Sequence, residues 1–411
     1  MAGLIQLETS GLRDKDFTSN PEYSYFREVY KRWTHFSTLS RELILENKPS
    51  FNQSLRFTIP QNCGDFLTKL SLKITLPGID VPNVCYIESV GHAIIEHARI
   101  FIGDKLIQHI PRDYLQIYSE HNVSLTHQKT LEEHIGKYPL RLNILPVSDP
   151  SVIAHKNLGK DGEKVELLID IPFYFYKNHE LAIPLSSITK QLVEVEIKLT
   201  DYHELLTDVN GTYPVSGVNV DDTIDASLVT ELIFTDTKIL KEQSYIITEI
   251  QENIFQMNTD EETFLLDFKN PIKELYFIVQ REGVSPFDYD NSLNFIDDTY
   301  ILFENLNTLE LILDDQVILS KKTGNTRFLK AVQGYLHHTR TQIIRRFYSY
   351  SFALKPEEWY PTGQVNFSHI KNQILKVNLN RCDPQVPRYL KVYALSYNIL
   401  SLKDGCIKKM Y

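Results

Sequence analysis

Residues 66 to 238 and residues 272 to 400 spell the same order of strand patterns twice, which points to two copies of one all-β domain joined end to end. In the first half Leu70, Leu72, Ile74 and Leu76 alternate with Ser71, Lys73 and Thr75; in the second, Leu275, Phe277 and Val279 occupy the matching places. Arg99–Ile107 answers Glu310–Ile318, each pair of β runs flanking a tight-turn pair, Gly103 with Asp104 and Asp314 with Asp315. Val193, Val195, Ile197 and Leu199 alternate with charged residues as Leu375, Val377 and Leu379 do, and Leu228–Phe234 and Leu390–Tyr397 close the two copies. The offset between matching blocks moves from about 205 to 211 down to about 180 and then about 162, which predicts shorter loops in the second copy. Four collinear blocks outweigh any single alternating run, which all-β chains produce by chance.

Eight or so strands per copy at this spacing, with long excursions between some of them, suit a jelly roll better than an immunoglobulin sandwich. The expected fold is therefore all-β: two tandem eight-stranded antiparallel jelly rolls with an N-terminal arm and short helices in loops. The boundaries are set at 1–45 for the arm, 46–240 for the first roll and 241–411 for the second. The arm has no copy in the second half. Asn20 and Pro21 make a turn in it, and Tyr25, Phe26, Val29 and Tyr30 recur at helical spacing up to Trp33. Such an arm either covers a sheet edge or docks on a neighbouring subunit. Residues 200–226, rich in Asp, Gly, Pro and Asn, read as a long surface loop.

Composition removes whole classes of function. Lys and Arg total 43 against 53 Asp and Glu, a net charge of −10 with no basic run, which disfavours direct nucleic-acid binding. No apolar stretch reaches the 18 or so residues a membrane helix needs, and the first residues lack the pattern of a signal peptide. Four cysteines (Cys63, Cys85, Cys382, Cys406) without a CxxC pair read as thiols in a reducing compartment.

Catalytic chemistry is equally sparse. His179 with Glu180 and His203 with Glu204 begin a zinc-helix pattern, but Ile183 and Thr207 stand where the second His belongs. His92 and His97 superficially resemble a cupin metal cluster, yet five-residue spacing on a strand puts them on opposite faces. His121, His127 and His134 share one polar stretch and read as a solvated face; Glu357 and Glu358, on a strand, would point apart. There is no GxSxG, phosphate loop or GxGxxG. No catalytic, cofactor-binding or metal residue is assigned, and no cofactor is expected.

Several stretches carry a resemblance. The opening, with Gly3–Leu7, Gly11, Asp14, Thr18, Asn20, Pro21, Phe26, Val29, Tyr30, Arg32, Thr34 and Phe36, is similar to the N-terminal signature of the double jelly-roll major capsid proteins of nucleocytoplasmic large DNA viruses. Gly91, His92 and Ala93 ahead of the IGDK turn resemble a strand pair of that family. Phe352, Ala353, Leu354, Pro356, Glu357, Tyr360, Pro361, Gly363, Asn366 and Ser368 resemble its most recognisable stretch, and Tyr397 and Asn398 its closing strand. The resemblance implies a homotrimer whose six rolls form a pseudo-hexagonal capsomer of an icosahedral virion, contacting neighbouring capsomers and minor capsid proteins above an internal membrane and assembled in the host cytoplasm. It places the arm at the capsomer base, with Asn20, Pro21, Phe26, Tyr30, Arg32, Trp33 and Phe36 as assembly residues. The short chain implies a comparatively flat outer surface. A minor capsid paralogue, a poxvirus-like scaffold trimer, and a jelly-roll carbohydrate-binding protein or enzyme are the alternatives.

Overall fold

Alternation fixes the strands. Between Ser54 and Ile59 the residues Leu55, Phe57 and Ile59 are buried while Ser54, Arg56 and Thr58 are exposed, the period of two that a pleated strand imposes. The structure, a computed structural model, describes the chain apart from residues 1, 10, 23, 27–31, 46–47, 138–157, 160–161, 209–214, 216–217, 219–223, 237–241, 282–294, 297–298, 301–305, 342–345, 382–386 and 411.

The principal strands of the first copy are β1 (Phe36–Ile44), β2 (Ser54–Ile59), β3 (Phe66–Leu76), β4 (Ile95–Ile102), β5 (Lys105–Pro111), β6 (Val165–Asp170), β7 (Val193–Leu199) and β8 (Asp225–Thr235). Those of the second are β9 (Gln243–Met257), β10 (Glu261–Leu265), β11 (Pro271–Arg281), β12 (Leu306–Leu313), β13 (Gln316–Leu319), β14 (Phe347–Ser351), β15 (Gln373–Leu379) and β16 (Arg388–Lys403). In the first copy one sheet runs β1-β8-β3-β6 and the other β2-β7-β4-β5. In the second the orders are β9-β16-β11-β14 and β10-β15-β12-β13, the same two sheets strand for strand. Each copy is an antiparallel jelly roll.

The irregularities repeat as well. Pairing of β3 with β8 skips Thr68, and pairing of β11 with β16 skips Lys273. Glu96 and Asn307 are skipped between β4 and β7 and between β12 and β15; Ile107 and Ile318 between β4 and β5 and between β12 and β13. A bulge bends its strand and raises the local twist, so matching bulges give matching curvature. The β4–β5 and β12–β13 hairpins turn on two residues each. Gly103 has φ +60°, and in the second copy Asp314 and Asp315 take φ 45° and 66°, with the Asp314 carboxylate accepting from the Lys371 and Asn372 amides.

Each sandwich has its own filling. Leu275, Phe277, Val279, Leu309, Leu311, Leu375, Val377, Leu390 and Val392 form the second core, and Leu70, Leu72, Ile74, Ile100, Val195, Ile197 and Leu228 lie at the centre of the first. Each such side chain contributes about 1.5–3 kcal/mol on burial. Residues 1–36 with 235–237 form a separate compact unit. It contains helices Ala2–Glu8 and Lys15–Thr18 and a 3-10 turn Leu12–Asp14, whose Asp14 carboxylate accepts from the Gly11 amide at 2.7 Å. The helix expected from Tyr25 to Trp33 falls largely outside the described residues.

Four expectations are corrected. The sheet begins at Phe36, inside the segment 1–45 expected to be arm, because β1 is the outer strand beside β8. The stretch 200–226 is not simply a surface loop: Tyr202–Leu205 forms a 3-10 turn, Leu206–Asp208 pairs with Val84–Tyr86, and Tyr202, Leu205, Leu206, Val218 and Ile224 are buried. Loops of the second copy are shorter only in places: 320–346 answers 112–164 and 380–387 answers 200–224, but 282–305 is longer than its counterpart 77–94. His92 sits in the helical turn Val90–Ala93 rather than on a strand.

Candidate assembly surfaces and the seam between the sandwiches

The outer face of the second copy's sheet β9-β16-β11-β14 is apolar. Tyr245, Ile247, Ile250, Tyr276, Ile278, Phe347, Tyr393, Leu395, Leu400 and Leu402 project from it and merge with the first core. That sheet is therefore buried on both sides, and every residue of β11 from Pro271 to Gln280 is buried. It rests on helix Arg112–His121, on β5 and on the stretch 171–178 of the first copy. Tyr114, Ile117, Phe173, Tyr174 and Phe175 are all enclosed there.

Polar groups pin the seam at defined places. Lys391 Nζ and Tyr393 Oη both donate to Asp113 Oδ2, at 2.7 and 2.5 Å. Gln108 Nε2 donates to the Thr248 carbonyl at 2.9 Å, and the Gln191 side chain bonds the backbone of Ile407. Glu120 accepts from Lys137 of its own copy and from Arg340 of the other, the latter at 3.0 Å. Lys273, buried at the β11 bulge, donates to Thr248 Oγ1 at 3.3 Å and lies over the Tyr397 ring. Burial pushes its ammonium down, against the pull of Glu274 and Glu357, to about 8.

The densest cluster surrounds His338. Its Nε2 lies 2.8 Å from Glu274 Oε1 and its Nδ1 3.3 Å from Glu357 Oε1, with no side-chain surface exposed. Tyr276 Oη donates to the other Glu274 oxygen at 2.9 Å, and the Thr339 amide and hydroxyl donate to Glu357. Burial would push the imidazole down, but Glu274 and Glu357 overcome it and raise it to about 10, so His338 is a cation. Burial would raise both carboxylates; the His338 charge and the hydrogen bonds to each hold them below the ordinary value.

These groups are not those the sequence brings forward. His121, read as part of a solvated face, is buried in the seam, whereas His127 and His134 sit on the separate helix Leu125–Ile135. Glu357 lies in a turn and not on a strand. His179 and His203 lie in 3-10 turns, with Asp201 capping the second. His92 bonds Gln116 at 3.0 Å, and His97 packs edge-on against His109. Among the described residues no group of three His, Cys, Asp or Glu is placed to hold a metal, and no helix is long and apolar enough to cross a membrane. A signal for the seam existed: Tyr276 and Ile278 make β11 apolar on both faces, where β3 has Ser71 and Lys73.

Among the described residues, exposed apolar side chains gather in two places. On the second copy, Val332, Tyr335 and Leu336 of the helical segment 328–337 are exposed together with Leu354 and Tyr360. His337 Nδ1 lies 3.2 Å from the Leu354 carbonyl, which makes these one patch. In the N-terminal unit every described residue from Ala2 to Phe36 is exposed, among them Leu4, Ile5, Leu7, Phe17, Phe26 and Trp33. Asn20 takes the left-handed backbone expected of a turn ahead of Pro21; Arg32 and Phe36 are exposed, and Tyr30 lies outside the described residues.

Comparison with known proteins adds three findings. Residues 24–236 match the family model described as major capsid protein N-terminus, and residues 238–407 match that of the large eukaryotic DNA virus major capsid protein. The major capsid protein of Pyramimonas orientalis virus is 27% identical over 98% of this chain and 97% of its own length; that of Phaeocystis pouchetii virus is 23% identical over 98% of both. Among solved structures, the chain in the PBCV-1 virus capsid superposes with a TM-score of 0.77 at 17% identity, covering 94% of this chain and 100% of that one. The Faustovirus major capsid protein gives 0.72 at 13% identity, covering 98% and 96%.

Proposed function

The chain belongs to the major capsid proteins of large eukaryotic DNA viruses, and from that premise we propose that it builds the icosahedral shell as a head-to-tail trimer. The role is structural rather than catalytic. The supporting observation is the match between a covered surface and an uncovered one. In the first sandwich, the helix after β5 and the stretch after β6 receive the second sandwich. Their counterparts after β13 and β14 in the second carry the exposed patch Val332, Tyr335, Leu336, Leu354 and Tyr360.

A second chain supplies the missing cover. Its first sandwich presents the sheet β1-β8-β3-β6, whose outer face carries Glu42, Glu166, Asp170 and Glu231 beside Lys69 and Lys73. Lys321, Lys322 and Arg327 are exposed near the patch, so the two surfaces complement each other in charge. Such a contact is heterologous, and three chains of two copies close it into a ring of six similar corners.

The arm is assigned to contacts between capsomers and to the shell's inner side, toward an internal membrane, with assembly in the host cytoplasm. Asn20 and Pro21 set its course, Phe26, Tyr30, Trp33 and Phe36 anchor it, and Arg32 pairs with a carboxylate. Each anchor buried on docking contributes about 1.5–3 kcal/mol. Light scattering of the purified chain tests the trimer, with Tyr335→Ser combined with Leu354→Asp expected to yield a folded monomer. A wild-type chain that stays monomeric at micromolar concentration sinks the head-to-tail reading. Deleting residues 2–36 is expected to leave capsomers that no longer form shells, checked by electron microscopy; normal particles from that variant overturn the arm's role.

A further inference from the structure

His121 ends the helix Arg112–His121 deep in the seam. Both ring nitrogens are enclosed and neither makes a hydrogen bond of good geometry among the described residues; the Arg340 backbone beside the ring favours a charge on it but does not outweigh burial. An imidazole buried without a partner costs free energy that a phenyl ring there would not. The ring lies against His338 across the seam, centroids 4.5 Å apart and planes at 36°. Tyr276 lies at 5.8 Å and Phe347 at 6.3 Å.

The carboxylates facing this ring are already engaged by other cations. From its own helix comes Glu120, paired with Lys137 and with Arg340 of the second copy. From β11 come Glu274 and the Tyr276 hydroxyl, from the turn after β14 comes Glu357, and His338 itself is the cation these two carboxylates hold. Glu120 thus answers Lys137 and Arg340, while Glu274 and Glu357 answer His338 and also draw on the buried Lys273 ammonium. A proton on His121 adds a second imidazolium beside the first, with each of these three carboxylates already engaged.

We propose that His121 is an acid-sensitive latch between the two sandwiches: its protonation sets two imidazolium rings face to face across the seam and loosens the second sandwich from the first while each stays folded. This reaches beyond the shell-building role and does not depend on the trimer. Burial and the neighbouring His338 charge push His121 down to about 4, so the closed seam binds the proton less readily than the open one and protonation draws the equilibrium toward opening. The folded value is depressed, so the closed seam is favoured above the ordinary 6.5 and loses up to tenfold per pH unit between there and about 4. His97 and His109, also held low by burial and then by Arg99, differ in setting. Each has one enclosed Nε2, but they line a cleft with Glu96, Arg99 and Glu252, and Glu196 lies 3.8 Å from the His97 Nε2, so a carboxylate stands ready to answer a new charge there.

Trp359 supplies a reporter, since it packs from the second copy against the first core, while the other tryptophan, Trp33, is exposed. In the full chain carrying Trp33→Phe, Trp359 emission is expected to shift to the red reversibly between about pH 6 and 4 while far-UV circular dichroism stays unchanged. Adding His121→Phe should remove the shift or move it at least one pH unit lower, and His109→Gln should leave it in place. An unchanged midpoint in His121→Phe overturns the proposal, as does loss of circular dichroism together with the Trp359 shift. Should His121→Phe fail to fold at neutral pH, the ring has a partner the proposal denies, and the latch is likewise refuted. Repeating the titration on monomeric Tyr335→Ser, Leu354→Asp chain separates this seam from contacts between chains: a shift that vanishes there refutes the latch.

Discussion

Lys69 on β3 and Glu274 on β11 occupy the same position in the two copies, one residue past the matching bulges, and meet opposite fates. Lys69 Nζ reaches Asp170 at 2.9 Å on the outer face of the first sheet, where about a quarter of each side chain remains open to water. Glu274 is sealed against His338, Tyr276 and the first sandwich. One topology thus carries two outer faces, a charged one able to stay wet and an apolar one that cannot. The two copies share the hydrogen-bonded scaffold and differ in the outward half of each strand's residues. That half makes the contact within the chain apolar and leaves the first sheet's outer face charged.

The comparison can be broken by mutation. Glu274→Ala strands the His338 cation in the seam and should cost about 3–5 kcal/mol, read from urea unfolding; a loss as small as that of Lys69→Ala would mean the seam is wet. Alkali probes the same group without mutation. The folded value of His338 is raised, so its stabilisation is full below about 6.5 and is lost as pH climbs toward about 10. The expected loss is on the order of 5 kcal/mol, seen as a falling urea midpoint that His338→Gln flattens. Turn chemistry gives a smaller contrast. Gly103→Ala should destabilise by about 1 kcal/mol because a Cβ is strained at φ +60°, while Asp315→Gly should stabilise by up to about 1 kcal/mol by relieving its positive φ. Differential unfolding of the two variants checks both signs. Smallest is Lys69→Ala, expected to cost under about 1 kcal/mol and to vanish in high salt.

The scaffold was readable where one face of a strand is buried and the other wet. β3, the β4–β5 hairpin, β7 and β8 and their counterparts announce themselves by alternation or by a turn pair, and the capsid-family resemblance holds along the chain. The strand β1 escaped because nearly all of its residues are exposed and it shows no clear apolar face. β14 escaped because FYSYS lies against the other copy and carries little alternation in burial. The seam was hidden for a different reason. His121 meets His338, and Asp113 meets Lys391, across more than half the chain, and no local pattern encodes such a pairing. By chain position His121 groups with His127 and His134, and Glu357 with Glu358. In each case the partner lay in the other sandwich or in another turn.

The short link between β8 and β9 has a kinetic consequence. Because it tethers the two sandwiches, the seam closes as a unimolecular step at an effective concentration in the millimolar range, whatever the amount of chain in the cell. In the proposed ring three of the six contacts are therefore complete when the chain finishes folding. Only the other three obey mass action, so capsomer formation should scale with the third power of chain concentration rather than the sixth.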